Sequence, residues 1–135
     1  MGENELSGRV GLDTTDYKTA IAEMNRSIRV IESGFRATAA ALGDWGKSAS
    51  GLEMRIKALT GQIDLQKGKV AALEAEYKRV AAEKGATSKA AQDLEIRLNK
   101  ETETLNKMEG ELGQTQTALA EMGTNQKMQP KELMI

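Results

Sequence analysis

The chain has 135 residues, 19 basic against 20 acidic side chains (net charge −1), and neither cysteine nor histidine. An interspersed, nearly neutral balance argues against electrostatic capture of nucleic acid or of an anionic membrane. The missing residue types remove disulfides, thiolate chemistry, a tight zinc site and the usual general base.

Residues 1–14 predict a tail. Met1-Gly2-Glu3-Asn4-Glu5 is acidic where a secretion signal is basic and then greasy, so the expectation is a soluble protein made in the cytoplasm. Leu6, Gly8, Val10 and Leu12 alternate with Ser7, Arg9 and Gly11, a short period-two signal for one strand, with a loop as the alternative. A lone strand needs a partner to persist in water.

Asp13-Thr14-Thr15-Asp16 supplies short oxygen-bearing side chains and acidic charge suited to a helix start. Behind it, an amphipathic helix over 15–42 carries Tyr17, Ile21, Met24, Ile28, Ile31, Phe35 and Leu42 in steps near three and four, with Thr38 in a remaining slot. This face must be buried against something, and Tyr17, Ile21, Met24, Ile28, Ile31 and Phe35 are candidate partner-binding residues. A Gly-rich hinge follows at 43–51. Gly43 suits a left-handed helix end, and Trp45 is either a local plug over helix ends or a further partner-binding anchor.

Residues 52–123 predict an antiparallel coiled-coil hairpin, with helices at about 50–84 and 87–123, each roughly 50 Å long at 1.5 Å per residue. Its two seams are mirror images about Gly85-Ala86, where Gly85 can take a positive φ and Thr87 or Ser88 can cap the next helix. Folding there pairs Val80 with Ala91, Tyr77 with Leu94, Leu73 with Leu98, and Val70 with Glu101. It further pairs Gln66 with Leu105, Ile63 with Met108, Leu59 with Leu112, Ile56 with Thr115, and Leu52 with Leu119. Every layer keeps the same register, as antiparallel seam packing requires. Sequence alone leaves the oligomeric state open, because the same seam can be satisfied between chains.

Gln66, Glu101 and Thr115 are polar intrusions on that seam, and such residues fix register at some cost in stability. Glu101 needs a cation, with Lys69 and Lys67 in reach. Glu76 and Arg97 are spaced to pair, and Glu74 and Glu95 to repel. Gly61, Gly68, Gly110 and Gly113 fall on the outer heptad positions. They suggest either a helix that bends or packs closely on a third surface, or plain tolerance at exposed sites. Residues 124–135 lose periodicity around Pro130, the single proline, and read as a disordered end.

The chemistry-bearing inventory is thin: no Ser/His pair, no phosphate-cradling glycine loop before a lysine, no spaced metal ligands. The expectation is no catalytic residues, no cofactor, no metal, no small-molecule substrate, no specific nucleic acid and no membrane-spanning segment. The class is all-α.

Several segments resemble the N-terminal region of phage (or prophage) tail tape measure proteins. They are Val10-Gly-Leu-Asp-Thr-Thr-Asp16, Met24-Asn-Arg-Ser-Ile28, Val30-Ile-Glu-Ser-Gly-Phe-Arg36 and Leu42-Gly-Asp-Trp-Gly-Lys47. Leu65-Gln-Lys-Gly-Lys-Val-Ala-Ala-Leu73 and Glu83-Lys-Gly-Ala-Thr-Ser-Lys-Ala-Ala-Gln92 add to the likeness, which spans residues 6–122. The resemblance implies a structural protein that sets tail length and fills the tail tube, made in the host bacterial cytoplasm and ending in the virion tail lumen. Its implied partners are further copies, tail tube proteins, tail chaperones and baseplate proteins. Tape measures run to many hundreds of residues, so the resemblance implies that this chain corresponds to a fragment, a prophage remnant or one part of such a protein. The alternative is a coiled-coil adaptor or chaperone-like arm that grips a protein client.

Overall fold

A computed structural model describes the backbone of residues 2–134 and the side chains of residues 17–123. It is all-α: α1 spans Gly2–Ala40, a single 3₁₀ turn spans Trp45–Lys47, α2 spans Ala49–Lys84 and α3 spans Lys89–Met134. Among the described residues there is no strand. The strand expected at residues 6–12 is therefore helix, continuous with α1, and the helix start expected at 13–16 lies inside it. An isolated strand has nothing to pair with, whereas a helix already nucleated extends at one hydrogen bond per residue. At the other end α3 runs to Met134, where a disordered end is expected from residue 124. The side chains of 1–16 and 124–135, on which those two expectations also depend, lie outside the described residues.

The turns obey the capping logic. α1 closes on Gly43 at φ 73°, and α2 opens on Ser48, whose hydroxyl accepts from the Gly51 amide at 2.9 Å. Gly85 ends α2 at φ 97°, its amide donating to the Ala81 carbonyl at 2.8 Å. Of the two candidate caps, Ser88 is the one used for α3: its hydroxyl accepts from the Ala91 amide at 3.2 Å.

α2 and α3 fold back on each other as the mirrored seam predicts. Leu52, Leu59, Ile63, Gln66, Leu73, Val80, Ala91 and Thr115 are buried, and Ile56, Val70, Tyr77, Leu94, Leu98, Glu101, Leu105, Met108, Leu112 and Leu119 are half-buried. Lys69 reaches Glu101, next to the residue that the register sets opposite it. Gln66 reaches the same glutamate, one turn from its expected opposite, Leu105.

The hairpin is not alone. α1 lies antiparallel along the other side of α2: Met24 sits by Gly68, Ile31 by Gly61, and Phe35 by Ala58. Among the described residues α2 is thus the middle helix, with α1 and α3 each packed on it and scarcely on each other. Gly61 and Gly68 do not face solvent. A Cβ there would stand 3.2 Å from Ile31 Cδ1 and 2.9 Å from Met24 Sδ respectively, so these glycines seat the α1 side chains. Gly110 and Gly113, in contrast, have open space around them.

Candidate functional site

The middle helix carries an apolar edge toward each neighbour, and between those edges runs a stripe of polar residues one heptad apart: Arg55, Gln62, Lys69 and Glu76. All four are buried, none more than 9 % exposed. Burying such groups without partners costs several kcal/mol each, so the helices on either side must answer them.

They do. Arg55 donates from Nη1 to Glu32 of α1 at 2.9 Å and from Nε to Glu111 of α3 at 2.9 Å, so one guanidinium ties both outer helices to the middle one. Its plane also lies over the Phe35 ring, 4.8 Å from the centroid, a cation–π contact. Gln62 donates to the Ile28 carbonyl and to Glu32, both at 3.1 Å. Gln66 donates to the Glu101 carbonyl at 2.9 Å and to its carboxylate at 2.8 Å, while Lys69 Nζ stands 2.9 Å from the same carboxylate. Glu76 pairs with Arg79, which also reaches Glu83. Among the described residues no buried side-chain nitrogen or oxygen lacks a partner.

The protonation states follow. Burial pushes the Glu32 carboxyl up, but hydrogen bonds from Arg55 and Gln62 and the charges of Arg55 and Arg36 outweigh it and hold the group below its usual range. Glu101 behaves likewise: burial raises it, and hydrogen bonds from Gln66 and Lys69 bring the net shift downward. The Tyr17 phenol is raised by burial. Every charge in the stripe is balanced inside the chain.

Of two expected charge pairings, the first forms and the second does not. Of the two lysines in reach of Glu101, Lys69 takes it. Glu76 turns to Arg79 on its own helix instead of to Arg97, and Arg97 approaches the Tyr17 hydroxyl at 3.4 Å.

The candidate partner-binding residues of the first helix point inward. Ile21 and Phe35 are buried, and Tyr17, Met24, Ile28 and Ile31 are half-buried. Trp45 is half-buried too, its ring edge-on to Phe35 at 5.0 Å between centroids. It packs with Ile31 and Met54 against Phe35, Ala39 and Ala58, a plug over the junction of α1 and α2. Much of this face packs against α2 of the same chain.

A hollow of about 400 Å³ opens beside Trp45, bordered by Glu32, Arg36, Arg55 and Glu111, but its charges are already paired as above. Among the described residues no group of three His, Cys, Asp or Glu side chains is placed to hold a metal ion, and no helix is long and apolar enough to cross a membrane.

The polar stripe was missed by a search for apolar periodicity. Its signal is nonetheless present: a polar residue recurs three positions after Leu52, Leu59, Gln66 and Leu73, on the flank both neighbours share.

Compared with known proteins, the chain matches no family model, no curated protein and no solved structure.

Proposed function

We propose that the chain is a structural protein of phage tail assembly, corresponding to the N-terminal coiled-coil part of a tape measure protein. The observation that carries the reading is the joint occurrence of the Val10-Gly-Leu-Asp-Thr-Thr-Asp16 segment and the Gly43-Asp-Trp-Gly46 hinge ahead of a long heptad hairpin. Support of a physical kind comes from helices of 36 and 46 residues with an interior of paired charges. Such a layer is built to be long and to persist, and its polar stripe binds α1, α2 and α3 to one another. Nothing in that arrangement performs bond chemistry, so the proposed role is mechanical and its partners are proteins: further copies, tail tube, tail chaperone or baseplate components. Assembly would place it in the host bacterial cytoplasm first and in the tail lumen afterwards.

The test is direct. Tails purified from particles made by the encoding phage or prophage should yield peptides from residues 17–123 by mass spectrometry, and the gene should sit among tail tube and baseplate genes. Tails free of those peptides would reject the proposal and favour the coiled-coil adaptor instead.

A further inference from the structure

The seam between α1 and α2 also opens as a groove of about 460 Å³. Ile31, Phe35, Met54 and Ala58 are among the residues that line it, and it is predominantly apolar. Val30 stands at its lip, 64 % exposed, and Gly34 has nothing within 4 Å, so a neighbouring backbone can come close. A second hollow shares Val30 and Gly34 and continues along α1 to Arg26 and Arg29.

The charge lining this groove is one-sided. Lys57 lines the groove, Arg26 and Arg29 line its extension, and no acidic side chain lines either. Among the described residues none of these three cations has an ion-pair partner. This is the reverse of the stripe, where Arg55 and Lys69 are both answered by carboxylates. From Arg26 to Thr38 the surface runs roughly 18 Å at the helical rise, about three turns. A trough between two packed helices with that length accepts the ridge of a third helix.

We infer that this groove docks an acidic amphipathic helix of a partner protein, its apolar face on Ile31, Phe35 and Met54 and its carboxylates toward Arg26, Arg29 and Lys57. The inference stands on the groove's shape and charge and does not rest on the tail-assembly reading. Opposite charges at a groove rim set orientation and partner choice more than raw affinity.

The probe is a fluorescein-labelled, lactam-locked helical peptide of about 15 residues, with leucines at i, i+3, i+4 and i+7 and glutamates on its flanks. Its twin carries lysines in place of the glutamates. Fluorescence anisotropy with the full chain at about 0.15 M salt should show the acidic peptide binding roughly tenfold or more tighter than its twin. Val30→Asp should abolish binding, and Arg29→Glu with Lys57→Glu should invert the preference. All three changes are at exposed positions, and circular dichroism of each variant checks that the helices persist. Equal binding of the two peptides, no binding of either, or binding indifferent to V30D would overturn the inference. A chain that sediments as a dimer and becomes a monomer on V30D would assign the groove to a second copy, and would overturn it as well.

Discussion

Gly51 sits in the first turn of α2, and a methyl group there would fall on the backbone carbonyl of Trp45 and within 2.7 Å of the Trp45 Cβ. Backbone cannot swing aside as a side-chain end can, so Gly51→Ala should destabilise the fold by about 1–3 kcal/mol, read as a lower midpoint in urea unfolding. Gly110 has the opposite surroundings, with nothing within 4 Å of a built Cβ. Gly110→Ala should raise stability by about 1 kcal/mol, the ordinary helix-interior difference. Gly68 lies between these cases, because the atom in the way is the flexible Met24 thioether. These three glycines thus do different jobs, and only their neighbours tell them apart.

At the scale of the element, α2 is held from both sides through its stripe. Lys69→Met would leave the Glu101 carboxylate half-buried with Gln66 alone, at a cost of about 3 kcal/mol, the lower end for a broken buried pair. Replacing both partners, K69M with E101L, should recover most of that loss, because an apolar pair asks for no ionic partner. Thermal melts of the two variants check the claim. Acid should act on the same groups. Glu32 and Glu101 have carboxyl pKa values lowered by folding, so their contribution is complete above the unfolded value of about 4.3 and is lost as pH falls through the lower folded values. The melting temperature should hold from about pH 7 to about pH 5 and then fall below about pH 4. Glu32→Gln with Glu101→Gln should flatten that acid limb. An unchanged acid limb would mean that other carboxylates govern it.

What could be read in advance at this scale depended on how each contact is written in the chain. The α2–α3 seam was legible because apolar side chains spell it at a 3.5-residue period from Leu52 to Leu119, with Gly85 and Ser88 marking the turn. The packing of α1 on α2 was legible only from one side. α1 shows an apolar stripe, but its seat on α2 includes Ala58, Gly61 and Gly68, which give little or no hydrophobic signal. Arg55, Gln62, Lys69 and Glu76 look like a solvated flank until two other helices close over their stems. The alternation at residues 6–12 misled because a period-two run that short is also compatible with a helix.

For the whole molecule, the fold-back at Gly85 and the central place of α2 are what every other statement depends on. A three-helix layer of this kind keeps its apolar seam and its charges within one chain, whereas a rod opened for a multi-chain bundle would have to expose both and find replacements. Spin labels at Glu53→Cys and Gln116→Cys, both exposed positions near the end of the hairpin far from the turn, test the point most directly. With labelled chains diluted in unlabelled ones, double electron–electron resonance should report an intrachain separation below about 30 Å for a folded hairpin. A distance near 95 Å, the roughly 1.5 Å rise multiplied along an unbroken helix, would contradict the account.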